Sequence, residues 1–119
     1  MKISPKDLDL VPKAERILKE HVGKKHPIHS RRLAAELGIK EGDTFIRTRG
    51  IIASVVKDRG LAVGALGRGY FIISNDEELF EYLGSLDSRI REIDNRKEWV
   101  SANYAKLHGE PELGEEDEV

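Results

Sequence analysis

Apolar residues recur at helical spacing in the first forty positions and predict two short helices there. The first begins at Pro12, which suits the first turn of a helix, and ends at Gly23. The second follows Ser30, the expected N-cap, and ends at Gly38. The positions expected to face a core are Ala14, Ile17, Leu18, Val22, Leu33, Ala34 and Leu37. Residues 1–11 show no such pattern and are interpreted as a flexible lead-in.

A third helix follows the turn GIKEGD and runs to about Arg59, before Gly60. Its start stays open, because either Asp43 or Thr48 has the chemistry of an N-cap. Gly50 weakens this helix by about 1 kcal/mol relative to alanine. Its expected inward residues are Ile51 or Ile52, Val55 and Val56.

Two short β-prone runs, LAVGA and YFIIS, follow the third helix and are joined by LGRG. Two glycines between such runs are typical of a β-hairpin. Ser74 or Asn75 then caps a last helix that opens with Asp-Glu-Glu, and acidic groups favour the positive end of the helix dipole.

The last helix has the most regular pattern in the chain, an apolar seam with alternating spacings of four and three. The seam is Leu79, Leu83, Leu86, Ile90, Ile93, Lys97, Val100, Tyr104 and Leu107. It predicts a dimerising coiled coil in which Lys97 is the one polar a position, and the expected dimer contacts run from Leu86 to Leu107. Arg89 at g and Asp94 at e attract each other in a parallel dimer, but the orientation stays open. In the alternative interpretation, the stripe packs back onto the preceding domain as core.

These elements predict a mainly α-helical protein with a small β-hairpin, of the α+β class. Their order, three helices and then a glycine-tipped hairpin, is that of a winged helix-turn-helix followed by a long C-terminal heptad helix. The predicted organisation is a lead-in (1–11), a winged helix-turn-helix domain (12–74), the long helix (75–108) and an acidic disordered tail (109–119).

Charge is distributed unevenly along these segments, although the net charge of the chain is only −2. Residues 1–74 contain 15 Lys and Arg against 8 Asp and Glu, a net charge of +7. Residues 75–109 carry −3 and residues 110–119 carry −6. Such asymmetry indicates a basic domain with a nucleic-acid partner.

Basic and small polar residues lie where a winged helix-turn-helix contacts duplex DNA. A helix fits the major groove and an arginine at the hairpin tip reaches a phosphate or the minor groove. The expected DNA contacts are Lys24, Lys25, His29, Arg31, Arg32, Arg47, Thr48, Arg49, Ser54, Lys57 and Arg68. Taken singly, each of the basic residues among them is better explained as a solvated surface charge, and it is their combination on this order of elements that favours DNA.

The stretch from Ser30 to Arg96 also resembles a known family. It has Lys57 and Gly60 at the end of the third helix, Gly-Tyr-Phe in the second hairpin strand, and EELFEYLGSLDSRIREI in the last helix. In these motifs it is similar to winged-helix proteins of bacteriophages and of some bacterial and archaeal genomes. The resemblance implies a DNA-binding regulator or a replication-associated protein.

Several other classes are disfavoured by composition. The chain has no cysteine, which excludes disulfides and thiolate chemistry, and no apolar run long enough for a membrane span. No secretory signal or catalytic constellation is visible, so we expect a cytoplasmic, non-enzymatic protein of a prokaryotic or viral-host cell without a cofactor. His21, His26 and His29 lack a clear fourth ligand, so no metal is expected.

The function predicted from the sequence is sequence-specific binding of double-stranded DNA by a homodimer that regulates transcription. One alternative is a protein-interaction or replication-associated module that recruits a partner through the long helix and the acidic tail. Another is an antagonist whose acidic surface occupies a nucleic-acid site on another protein. The tail itself is either a solvated end or a competitor of DNA for the basic domain.

Overall fold

A single helical turn, α1, opens the part of the chain that the structure describes. This computed structural model describes residues 3–111. In α1 (Pro5–Leu8), Ser4 is the N-cap and its hydroxyl accepts the amide hydrogen of Asp7 at 3.1 Å. Ile3 packs against the core. The interpretation of residues 1–11 as a flexible lead-in is therefore wrong for its described part, which is capped and packed.

Three longer helices form the core of the first half of the chain. These are α2 (Val11–Leu18), α3 (Ser30–Leu37) and α4 (Ile46–Arg59), and each packs against the other two. Their apolar faces meet because the inward positions recur every three to four residues. The buried core is Val11, Ala14, Leu18, Ile28, Leu33, Ala34, Leu37, Ile39, Ile51, Ile52, Val55 and Val63.

Two helix boundaries differ from the sequence prediction. α2 ends at Leu18 rather than at Gly23, and Val22 is exposed in the following segment. The N-cap of α3 is His29 rather than Ser30, because the Nδ1 atom of His29 accepts the amide hydrogen of Arg31 at 3.2 Å. The helix end at Gly38 is confirmed, and its left-handed φ of 75° explains the glycine.

The N-cap of α4 is neither of the two residues that the sequence offers. Neither Asp43 nor Thr48 caps it; the preceding residue is Phe45, which has a left-handed φ of 52° and no capping side-chain bond. Val56 is exposed rather than buried, so the inward face of α4 is centred on Ile51, Ile52 and Val55.

The predicted hairpin is confirmed as two antiparallel strands, β1 (Val63–Ala65) and β2 (Tyr70–Ile72). Ile28 and Tyr70 also exchange two backbone hydrogen bonds, at 2.8 and 2.9 Å. A segment before α3 therefore pairs with the edge of β2 that faces away from β1, which ties the hairpin to the helical core.

The long predicted helix is present as α5 (Asp76–His108), and Gly109 follows it with a left-handed φ of 82°. The chain divides within α5 into two units, Met1–Tyr82 and Leu83–Val119. The first turns of α5 thus belong to the first unit. The predicted acidic tail lies outside the described residues from position 112 onward. Within the described range, no helix is long and apolar enough to cross a membrane.

Candidate nucleic-acid interface

The exposed side of α4 brings three of the predicted DNA-contacting residues together. Arg49, Ser54 and Lys57 all line one open groove of about 720 Å³. Arg49 and Lys57 are two helical turns apart, so their side chains emerge from the same face. α4 thus presents two cations and a hydroxyl along one surface.

The other wall of this groove comes from the N-terminal segment, which the sequence prediction left out. Ile3 and Leu8 line it opposite α4, with Ile46 at the helix start. Ile3 lies directly over Gly50, since a Cβ atom at that position would be in ordinary van der Waals contact, at 3.4 Å, with the Cγ2 atom of Ile3. A signal for α1 is present in the sequence: a Ser-x-x-Asp capping pattern with proline at the first helical position.

Charge in the groove is predominantly positive. Neither Arg49 nor Lys57 forms an ion pair with another residue in the described range, and Asp58 is the one acidic residue lining the groove. Unpaired cations on an exposed helix attract phosphate without first breaking an internal contact. This surface is therefore chemically suited to an anionic polymer.

The N-terminus of α4 is already occupied by a carboxylate of the chain itself. Glu41 accepts the amide hydrogens of Arg47 and Thr48, both at 2.9 Å, and the hydroxyl hydrogen of Thr48 at 2.5 Å. Burial acts to raise the pKa of Glu41, but these hydrogen bonds and the Arg47 charge hold it below its usual value. A helix N-terminus filled in this way has no room for a phosphate.

Thr48 and Arg47, which were both predicted to contact DNA, are engaged in contacts within the fold. Thr48 is completely buried. The guanidinium of Arg47 donates from Nε and Nη2 to the two oxygens of Asp7, at 3.2 and 2.7 Å. Asp7 is only 5% exposed, and its hydrogen bond with Arg47 lowers its pKa below the usual range. This pair attaches α1 to the start of α4.

We predict that Glu41→Ala lowers the free energy of unfolding by about 2 kcal/mol at neutral pH. The change leaves two amide hydrogens and the buried Thr48 hydroxyl without their acceptor. Because the pKa of Glu41 is lower in the folded state, its stabilising effect is present at neutral pH. That effect disappears as the pH falls through the folded-state pKa. Urea denaturation at neutral and acidic pH measures both effects.

Asp43→Ala is the matched control for this change. Asp43 is an exposed carboxylate in the same loop, and its pairing with Arg31 at 3.0 Å is a surface contact. Such pairs contribute less than about 1 kcal/mol, so the variant is expected to unfold nearly like the parent. Equal losses for the two variants would contradict the capping role of Glu41.

Three of the predicted DNA-contacting residues lie around the start of α3, where they bond to neighbouring residues of the chain. Arg31 pairs with Asp43, and its guanidinium lies 5.6 Å from the centre of the Phe45 ring. Arg32 pairs with Glu36 one turn later, at 2.8 Å. His29 caps the helix through Nδ1. The two arginine pairs are exposed and weak, so both arginines can exchange their partners for phosphate.

Lys24 and Lys25 lie in a more acidic setting than the sequence predicts. The Nζ atom of Lys24 donates to Glu81 at 2.8 Å, and this bond raises the pKa of Lys24. Glu78 accepts the backbone amide hydrogen of Lys24 at 3.0 Å, and Glu77 and Glu78 line the same depression as Lys25. These carboxylates from the start of α5 weaken the attraction of either lysine for a phosphate.

Arg68 lies at the exposed turn between β1 and β2, where the sequence places it. Its backbone amide donates to the carbonyl oxygen of Leu66 at 2.7 Å, which holds the turn. Its side chain has no ion-pair partner within residues 3–111. The guanidinium is therefore available to a ligand.

The predicted seam in the second unit lies almost entirely in solvent. Ile90, Val100 and Leu107 are 63%, 61% and 80% exposed. The remaining expected dimer contacts are Ile93, Lys97 and Tyr104, which are exposed, and Leu86, which is half-buried. Within the second unit itself, no other described element covers these side chains.

The three histidines near the start of α3 take part in local hydrogen bonds. The Nδ1 atom of His21 lies 3.0 Å from the carbonyl oxygen of His26, and His29 forms the N-cap of α3. In the range 3–111, the residue types that bind metals form no cluster of three or more. Comparison of the chain with family models, curated proteins and solved structures finds no match.

Proposed function

We propose that this protein is a winged-helix protein that binds double-stranded DNA as a homodimer and regulates transcription. The observation that carries the proposal is the exposed face of α4, where Arg49, Ser54 and Lys57 line one groove and both cations are unpaired. A helix of this length enters a major groove, and side chains of these types bond to base edges and phosphates.

The arrangement around α4 supports the winged-helix assignment. α3 and α4 are successive packed helices, and a hairpin with a basic tip follows them. The hairpin is attached to the helical core through Ile28 and Tyr70, so Arg68 is carried on a fixed element. The loop between α3 and α4 spans residues 38–45 and is longer than in a compact helix-turn-helix.

The charge of the first 74 residues also supports the proposal. Their net charge of +7 is large for a segment of this size, and such charge increases both the affinity and the association rate with DNA. Several of the basic residues are engaged in ion pairs, whereas Arg49, Lys57 and Arg68 are not. The free cations thus include those on the two elements that a winged helix presents to DNA.

The proposal is tested by fluorescence anisotropy with random and genomic duplexes over a series of salt concentrations. We expect affinity to fall steeply with salt, with a logarithmic slope of about 0.9 per contacted phosphate. A subset of genomic sequences should bind more tightly than the random duplex. Binding that is equally weak on all duplexes and independent of salt would contradict the proposal.

We predict that Arg68→Ala weakens binding to a similar extent on every duplex and reduces the salt slope by about one. Arg68 is at the hairpin tip, where a guanidinium contacts the backbone, which carries no sequence information. Arg68→Lys keeps the charge and should keep most of the slope. A loss confined to one sequence would show that Arg68 reads bases instead.

A protein-interaction or replication-associated module is the second candidate function. It is favoured by one specific observation: Ile3, Leu8 and Ile46 give the same groove an apolar wall, and the last two are about half exposed. Apolar surface of this kind suits a protein ligand. Leu8→Glu distinguishes the two functions, because it should abolish a protein contact while only moderately reducing DNA affinity.

A further inference from the structure

The exposed seam of α5 carries flanking charges that distinguish one orientation of a helix pair from the other. With Leu83 at an a position, Arg89 and Arg96 occupy g positions, and Asp87 and Asp94 occupy e positions. One flank of the seam is thus basic and the other acidic. All four residues are exposed, and within the described part of the chain none of them forms an ion pair.

We infer that the occupant of this seam is a second copy of the chain, aligned parallel and in register. The inference rests on the self-association in the proposed function and adds its geometry. In a parallel pair each g residue faces the e residue five positions later in the partner, so Arg89 meets Asp94 twice. In an antiparallel pair g faces g and e faces e, which places arginine near arginine and aspartate near aspartate. Charge complementarity therefore selects the parallel pair.

Lys97 limits the number of helices in the assembly. It is an a residue in the middle of the exposed seam, between Ile93 and Val100. In a two-stranded coil the long side chain of an a residue extends to the edge of the interface, where its ammonium stays in water. A bundle of three or four helices would enclose several such charges in its centre, which is unfavourable. Lys97 therefore favours two strands over larger bundles.

Parallel pairing has a consequence for DNA binding. The first unit precedes the seam in the chain, so both copies of it lie at the same end of the paired helices. Two DNA-binding units joined in this way are related by a twofold axis. Their expected target is a pair of inverted half-sites centred about one helical turn apart, or a multiple of that distance. An antiparallel pair would instead place the two copies of the first unit at opposite ends of the paired helices.

The absence of cysteine from the chain allows a direct test of the orientation by disulfide formation. Leu107→Cys places a thiol at a d position near the end of the seam, and Leu83→Cys places one at an a position near its start. In the parallel pair each thiol faces its own copy and oxidises to a covalent dimer. Full antiparallel overlap would place position 107 opposite position 83, which is 24 residues away, so the two copies of position 107 would lie about 36 Å apart at 1.5 Å per residue.

We expect the full-length Leu107→Cys and Leu83→Cys proteins each to run at twice their mass on a non-reducing gel. Ala102→Cys is the control, because position 102 is on the side of the helix opposite the seam. This variant should form no disulfide and should run at the mass of one chain. When the two seam variants are mixed with different size tags, an antiparallel pair would give the cross-product of 83 with 107. That product, without the self-products, would overturn the inference.

Charge reversal gives a second, independent test. Arg89→Asp alone and Asp94→Arg alone each convert two attractive contacts into repulsive ones and should weaken self-association roughly tenfold. An equimolar mixture of the two variants restores both contacts in a parallel heterodimer and should recover the parental affinity by sedimentation. No recovery on mixing would contradict the parallel pair.

These measurements contain no DNA, so they separate the geometry of the dimer from the proposed function. A dimer that forms only the mixed disulfide is antiparallel, and this would contradict the inference whatever its affinity for DNA. A monomer at high concentration overturns both self-association and its orientation. DNA binding that fails in a parallel dimer leaves the inference intact and contradicts only the proposed function.

Discussion

Replacing both Arg49 and Lys57 by alanine is expected to weaken duplex DNA binding about 100-fold. Each side chain stands unpaired in the α4 groove, and a good contact to a base or phosphate contributes about 1–3 kcal/mol. Both positions are exposed, and alanine has a high helix propensity, so the two substitutions should leave the fold intact. Fluorescence anisotropy at fixed salt measures the loss, and circular dichroism verifies the helix content.

The control for this experiment removes the same charge from another helix. Lys13 and Arg16 are exposed on α2 and do not line the groove. Their double replacement by alanine lowers the net charge equally, so it should reduce only the general electrostatic attraction. If the two double variants lost the same affinity, α4 would not be the docking element and the proposed function would need another surface.

Gly69→Ala is expected to lower the free energy of unfolding by about 4 kcal/mol, the largest effect on stability that we predict. Gly69 has a φ of 136°, which side-chain-bearing residues rarely adopt. A Cβ atom there would overlap the carbonyl group of Ile28, with its carbonyl carbon only 2.6 Å away. Because the clashing atoms of Ile28 belong to the backbone, the clash is relieved only if the hairpin separates from the helical core.

Gly67→Ala in the same turn separates the clash from the cost of backbone conformation. Gly67 also has a positive φ, of 72°, but a Cβ atom there would meet nothing within 4 Å. Its replacement should cost only about 1 kcal/mol, the usual penalty for alanine in the left-handed region. Urea denaturation of both variants measures the difference, and similar losses would show that Ile28 moves aside easily.

Local patterns predict the elements of this fold well. The helical spacing, the glycine at position 38 and the acidic start of α5 all recur in the structure, because each is decided by residues within one or two turns. The hairpin is also a local feature, set by its two turn glycines. α1 was missed although Ser4 and Asp7 carry a capping signal.

The candidate site was predicted less well, because its composition depends on distant partners. Nothing local indicates that Arg47 pairs with Asp7, which is 40 residues earlier. Likewise the carboxylate of Glu41 reaches α4 across a loop, and its contacts turn Thr48 from an expected DNA contact into part of the core. A list of basic and polar residues cannot separate those engaged inside the fold from those exposed to a ligand.

Periodicity and the position of charge along the chain were sufficient to indicate a basic helical domain, a hairpin and a long heptad helix with one acidic and one basic flank. These properties follow from short-range geometry, since side-chain direction repeats with the helical turn and is independent of packing. Tertiary structure alone decided which cations remain unpaired, why Gly69 must lack a side chain, and that α1 forms a wall of the α4 groove. Each of these depends on atoms brought together across tens of residues, and such contacts arise only when the apolar faces of the helices are buried together.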